Sequence, residues 1–586
     1  MDRPVIDDEV KLKARDFIDN EKQFQLGFLP TECSNPITAT LEDDFKRSTL
    51  AGVQCLQRGD RQIAITMRHV FASAAFESLV SDMVRSVTAA KGRIVFSGCG
   101  ATGRLSILLE SMWRDFFHRR AAELTADEMR FADRIASIMT GGDFALIRSV
   151  EFFEDYAEGG RRQAAALDIG EGDTFVAITE GGETSSVLGS LSYAAEHGAR
   201  CYLVFNNPAD LLRRHLDRCR EAIDNPKVTV IDLYCGSMSV AGSTRMQATS
   251  SEQLLGSCAL EAALCRILPR FAGETAGDYA LAFENLLAGL ESPGGRAGLV
   301  KAIDFERSVY EVHGLITYLA DKCMLDLFTD NTERSPTFMI PPIRSSREKV
   351  FSQSWSFVKN PLYPTERCWS EMMRRHPRCL EFTAEDARSL GMPKSFIDNP
   401  PLIKYSDLVT YMIGNEPAPE RIDGRPRAVA VTLTVGDRSQ DFVDAAEKLA
   451  AAWPEKIAFH IGRAEVPFAA GSAAVHVDMP IADSPLEIWR HLAVKLAFNC
   501  LSTGTMAAMG RIAGNWMSWV SMSNKKLIDR CIRLLVELGH VGYEEAAQRI
   551  FAAQKWVQSQ DWSKGEEPSP VQVALAQLRD CKGECK

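Results

Sequence analysis

Residues Arg93–Leu105, RIVFSGCGATGRL, set a short β-branched and aromatic run against three glycines, Gly98, Gly100 and Gly103, and then open a helical pattern. Glycines at a strand-to-helix turn let backbone N–H groups approach an anion at the positive end of the helix. The literal spacing, G-x-G-x-x-G, also fits a dinucleotide turn. That reading needs a strand ending in Asp or Glu about 20 residues on. The sequence there, Trp113 to His118, continues the helical pattern, so a plain phosphate turn is the better reading.

Outward from this turn, short apolar runs alternate with long helical stretches: Ile135–Thr140, Thr174–Thr179, Cys201–Phe205 and Val228–Leu233. Largely uncharged runs suit strands buried on both faces, which predicts a doubly wound α/β domain with a parallel sheet. Ser292-Pro293-Gly294-Gly295 reads as a break or loop. A second strand set follows, Leu315–Ala320, Ala428–Val435, Ile457–Ile461 and Ala474–Asp478. The expected organisation is a helical segment over 1–50, domain one over 51–290, domain two over 291–500 and a helical region over 501–586. A Pro- and aromatic-rich stretch, 340–427, holds Trp355, Phe357, Tyr363 and Trp369 and reads as a surface insertion, with a lid or partner site as the sharper alternative.

Composition limits the function classes. Of 586 residues, 46% are hydrophobic and 25% charged, which excludes disordered, collagen-like and coiled-coil chains. Net charge is 67 − 78 = −11, with no basic stripe, so neither nucleic acid nor an anionic membrane is expected as a partner. Fifteen irregularly spaced cysteines read as free thiols, and Cys581 with Cys585 lacks the companions of a metal site. The expected location is cytoplasmic: the charged N-terminus has no signal-peptide pattern, and Leu496–Asn524, whose one charge is Arg511, reads as a buried helix.

Three further stretches carry chemistry. Thr179-Glu180-Gly181-Gly182-Glu183-Thr184 closes the third strand, where open α/β sheets bind ligands, although Thr184 or Ser185 would equally cap a helix. Gly242-Ser243-Thr244-Arg245-Met246-Gln247 joins small hydroxyls to a cation. Glu151, Glu154 and Asp155 share a predicted helix on which Glu151 lies near both others, an arrangement that usually marks a solvated face.

Together these stretches resemble the sugar isomerase (SIS) domain, and more narrowly the N-acetylmuramic acid 6-phosphate etherases and the two-domain glucokinase regulatory proteins. Lys495, Asn499–Met506, Gly514-Asn515 and Asn524–Leu527 resemble the etherase tail. The likeness covers roughly 50–270 and 300–560. It implies two tandem SIS domains forming an internal pseudo-dimer, as a monomer or homodimer, with one phosphosugar site and no metal or organic cofactor. The etherase site uses two glutamates. The second matches Glu154; the first falls on Met112, with Glu110 two positions away and facing elsewhere on a helix. Thr332–Phe338 resembles the etherase segment around that first glutamate, so Glu333 would supply it from domain two.

The resemblance therefore implies Glu154 and Glu333 as catalytic residues. It assigns phosphate and sugar to Gly98, Gly100, Ala101, Thr102, Gly103, Thr179, Gly181, Thr184, Ser243, Thr244, Arg245 and Lys495. Leu319–Lys322, without a glycine triplet, implies a dead pocket in domain two. Glu183 and Gln247 depart from the family pattern, and Glu183 would have to turn outward from a phosphate. The implied activity is an etherase-type lyase. The alternative is a phosphosugar sensor that regulates a kinase or other partner, through 340–427. An aldose–ketose isomerase fits the C-terminal run less well.

Overall fold

The computed structural model describes residues 3–150, 152–275, 277–463, 474–522, 524–562 and 566–583. The first sheet contains β1 (Ile94–Gly98), β2 (Ile135–Met139), β3 (Thr174–Ile178), β4 (Arg200–Phe205) and β5 (Val228–Asp232), in the order β2-β1-β3-β4-β5. Every pairing is parallel. β1, β2 and β3 are buried along their whole length, because helices cover both faces of the sheet.

The second sheet contains β6 (Leu315–Leu319), β7 (Ser356–Lys359), β8 (Ala428–Val435), β9 (Glu455–Ile461) and β10 (Ala474–Val477), in the order β10-β9-β8-β6-β7. Read from the opposite edge, this is the same strand order as the first sheet. The chain thus repeats one doubly wound α/β topology, as the spacing of apolar runs predicts. The predicted loop at 292–295 is instead a helix start: Ser292 accepts from the Gly295 amide and Pro293 takes the first position of Pro293–Tyr310.

Residues 340–427 are not a free surface insertion. They supply β7, the counterpart of β2, and Arg421 fastens that edge by donating to Thr317 Oγ1 at 2.7 Å and to the Ile316 carbonyl at 2.7 Å. The same stretch is keyed into domain one. Glu110, wholly buried, accepts from Arg375, Arg378, Arg114 and Ser137, while Asp143 binds Arg375 and the Arg378 amide. Glu110 is therefore a structural anchor, and Met112 lies in the core beside it, 2% exposed.

Five helices place the site: α1 (Gly100–Arg119), α2 (Gln247–Ile267), α3 (Met324–Phe338), α4 (Ile488–Ala508) and α5 (Lys525–Gly539). α2 and α4 are buried for most of their length and form the seam between the domains. One hydrophobic cluster runs through that seam into both sheets. The Leu496–Asn524 stretch is accordingly a buried helix followed by a short hairpin, Ile512–Ala513 with Trp516–Met517. Among the described residues no single helix is long and apolar enough to cross a membrane. A separate cluster joins the first helix, Asp8–Asn20, to the C-terminal helices.

Removing Glu110 leaves Arg114, Arg375 and Arg378 without the buried carboxylate they share. Glu110→Ala should cost about 3–5 kcal/mol, the range for breaking a buried ion pair. Urea unfolding checks this; a loss below about 1 kcal/mol would show that the anchor is dispensable.

Candidate functional site

The turn after β1 explains its three glycines. A Cβ on Gly98 would meet the Thr102 carbonyl carbon and oxygen at 2.4 Å, and one on Gly103 would meet Met139 Cγ at 2.9 Å. Gly100 differs: it has φ +54°, and a Cβ there would meet nothing within 4 Å. The turn is therefore packed on its inner side and open above Gly100, at the N-terminus of α1. Thr102 holds the turn itself: its hydroxyl accepts from the Cys99 amide at 3.0 Å and donates to the Cys99 carbonyl at 2.9 Å.

The loop after β3 lies alongside. Thr179 and Thr184 share a hydroxyl–hydroxyl bond of 2.9 Å, and Gly181 leaves room for the Glu183 carboxylate, whose Oε2 lies 2.0 Å from where a Cβ would stand. Glu183 does not turn outward. It is buried, and Lys526 from α5 donates to it at 2.7 Å; burial raises its pKa, but the charge and hydrogen bond of Lys526, together with the Arg218 charge, outweigh that and leave it below the usual range. Gln247, the other departure, bonds Ser239 and Gln62 and is part of the packing.

Glu180, to which the sequence assigns no role, is the most perturbed member of this loop. Burial, with the nearby Glu333 and Glu183 charges, pushes its carboxyl up to about 7. Thr244 donates to Glu180 Oε1 at 3.3 Å. Behind it the wholly buried Glu252, held by Asn206 at 3.0 Å, is raised well above the normal range by burial and by Glu180. Carboxylates that cannot all ionise together retain protons.

Glu333 enters from domain two on α3. Its carboxylate pairs with Arg104 of α1, a fully buried arginine that also donates to the Leu146 and Ala145 carbonyls at 3.1 Å each. Lys495 on α4 is 6% exposed and makes no hydrogen bond or ion pair with the described residues. Burial and the Arg245 charge push its ammonium down to about 8, while Glu333, Asp330 and Asp326 pull it the other way. Ser243 Oγ is likewise buried with no hydrogen-bond partner among the described residues.

Arg245 has a different task from the one expected. It is buried against Asp330 (3.2 Å), Thr503 (3.1 Å) and the Phe338 ring, and so ties the loop before α2 to domain two. Glu154 lies on a single 3₁₀ turn, Phe153–Asp155, not on an α-helix, and accepts from Asn524, the N-cap of α5, at 3.1 Å. Glu151 lies outside the described residues, as do Cys585 and the Cys581 side chain.

A cavity of about 940 Å³ opens beside the Arg104–Glu333 contact and is lined by Ser149, Thr332, Ser335, Trp355, Ser521 and Trp562, among others. None of the predicted phosphate-binding residues lines it. The glycine turn and this cavity are therefore separate features.

Residues 77–195 match the family described as the glucokinase regulatory protein N-terminal SIS domain. An N-acetylmuramic acid 6-phosphate etherase from Rhodopirellula baltica is 28% identical over 243 residues, 42% of this chain and 71% of that protein. N-acetylmuramic acid 6-phosphate etherase 1 from Bacillus licheniformis is 27% identical over 232 residues, 39% of this chain and 66% of that protein. Among solved structures, tagatose-6-phosphate ketose/aldose isomerase from Escherichia coli aligns with a TM-score of 0.41 and 9% identity, over 80% of this chain and 94% of that one. The chain resembles the etherases and, in domain one, the regulatory protein.

The raised carboxyl of Glu180 has a sign that can be tested. Between about pH 4.5 and 7 the unfolded state loses a proton that the folded state keeps, so stability falls as pH rises, by at most about 1.4 kcal/mol per unit. Glu180→Gln removes this dependence. Thermal unfolding at pH 5 and pH 7 should show the variant gaining on the wild type at the higher pH; parallel profiles would place Glu180 among ordinary carboxylates.

Proposed function

We propose that this chain binds a sugar phosphate between its two domains and acts on it as a carbon–oxygen lyase of the etherase type. The observation that carries the reading is the convergence of Glu180, Glu333, Lys495 and Ser243 at the strand ends of domain one, on elements from both domains. The open space above Gly100 supplies backbone N–H groups and a helix N-terminus for phosphate. Lys495 supplies a cation with no committed partner, and the Ser243 hydroxyl a hydrogen bond with none. An unpaired buried hydroxyl costs free energy that a ligand oxygen recovers.

Glu154 abstracts the proton α to the carbonyl of the open-chain sugar. Glu180, which holds a proton near neutral pH, protonates the leaving ether oxygen; Glu333 stands beside it, fixed by Arg104, and its charge helps keep that proton in place. This moves the acid from Glu333, where the resemblance puts it, to the carboxyl that burial has prepared for the task. A base and an acid on one substrate each contribute ~10²–10⁴ to rate. N-acetylmuramic acid 6-phosphate, named for the relatives, is the substrate to try first. A second reading, a sensor without turnover, is supported by the match of domain one to the regulatory protein and keeps the same ligand site.

Direct assay of ether cleavage with N-acetylmuramic acid 6-phosphate tests the lyase reading. Glu154→Gln should lower kcat by ~10²–10⁴ with binding nearly unchanged. Binding without cleavage by the wild type would leave the sensor reading; neither binding nor cleavage of any sugar phosphate would defeat both. Ser243→Ala should weaken phosphosugar binding about 2- to 10-fold, the worth of one hydrogen bond, measured by calorimetry. Unchanged affinity would remove Ser243 from the site.

A further inference from the structure

The strand-end position of domain two is not simply an empty copy of the phosphate turn. β6 ends at Leu319, and four residues later Cys323 caps α3 in the left-handed region, φ +54°. Asp326 follows one helical turn on. His491, in the first turn of α4, meets it: His491 Nδ1 and Asp326 Oδ2 are 2.6 Å apart, and the Cys323 thiol lies close to both. One ligating atom from each of the three, the Cys323 sulfur included, lies within 4.8 Å of the other two. Cys323 is 7% exposed and Asp326 4%, whereas the His491 side chain is 16% exposed.

We propose that Cys323, Asp326 and His491 form a binding site for one zinc-class divalent ion. Thiolate, imidazole and carboxylate are the donor set zinc takes, with Zn–S near ~2.3 Å and Zn–N and Zn–O near ~2.0–2.2 Å. Ligand atoms around a tetrahedral ion then stand ~3.3–3.7 Å apart, so the three side chains need only small adjustments. The more exposed edge at His491 leaves the fourth position to water and gives the ion a way in. The ion replaces two protons, the thiol proton and the one shared by His491 and Asp326, and both leave to solvent.

The surroundings are consistent with a cation here. Gln253 of α2 donates to Asp326 Oδ1 at 3.4 Å and orients it, as outer partners of metal ligands do. The neighbouring Arg490 is already neutralised by Glu487 and Asp437, and Lys322 by Asp437. The ion would join α3, which carries Glu333, to α4, which carries Lys495, and so fix the relative placement of two side chains of the proposed site.

The test uses the full chain, stripped with a chelator and titrated with Zn²⁺ alone and then Co²⁺ alone. The expected results are one zinc per chain by elemental analysis after dialysis, and a thiolate-to-cobalt charge-transfer band with tetrahedral d–d bands. Cys323→Ser should abolish the charge-transfer band, and His491→Asn should weaken zinc binding by roughly 100-fold or more. Zinc should raise the melting temperature of the wild type and not of His491→Asn, while Cys265→Ser, elsewhere in the chain, should behave as wild type. A wild type without stoichiometric zinc or without the cobalt–thiolate band would overturn the site, whatever the folding of the variants. So would unchanged zinc affinity in Cys323→Ser.

Discussion

A guanidinium with no exposure to solvent must be satisfied entirely by protein, and Arg104 is such a group. Two of its partners are carbonyls from the loop after β2 and another is the Ser149 hydroxyl; its charged partner is Glu333, from the other half of the chain. Domain one therefore cannot complete its own interior alone. Breaking this contact would leave a buried charge on one side and an unneutralised carboxylate beside Glu180 on the other. Fold and site share this interaction, because the contact that closes the seam also sets the charge environment of the candidate acid.

The two halves repeat one strand order but have diverged in what they place at their strand ends. Domain one keeps an open turn, hydroxyls and glutamates; domain two has a left-handed cysteine, an aspartate and a histidine. Between them α2 and α4 carry polar side chains that are almost all inward-facing. Asn499 reaches the Arg245 carbonyl, Ser502 reaches Asp330 and Thr505 reaches Glu306. A seam so dense in directional bonds fixes the register of one domain on the other more narrowly than apolar packing alone.

Much of this could be read from the amino-acid order. Buried parallel strands are continuous apolar runs, so nine of the ten were visible at their positions, and the glycine turn declared itself by spacing. β7 was not, because four residues, Ser356-Phe357-Val358-Lys359, follow Trp355 in a Pro-rich context and end in a lysine that burial and the Met412 carbonyl accommodate. Glu333 could be reached from a local likeness. Arg104 and Glu180 could not, since both stand next to named residues but draw their importance from partners far along the chain. Arg245 was misread for the same reason: a cation after hydroxyls looks like a phosphate ligand until Asp330 and Thr503 are seen to occupy it.

The candidate pocket also imposes an order on biosynthesis. Glu154 and Glu183 take their partners, Asn524 and Lys526, from α5, which lies 370 and 343 residues further along the chain. At synthesis rates of ~5–20 residues per second, the ribosome needs roughly 20–70 s to deliver that helix after the loops of domain one have emerged. For that interval the domain-one sheet can assemble, yet Glu183 must stay hydrated and its loop unsealed, because burying it without Lys526 would strand a charge. The loop after β3 is thus sealed last, and the timing of its closure is set by where in the sequence one lysine is encoded.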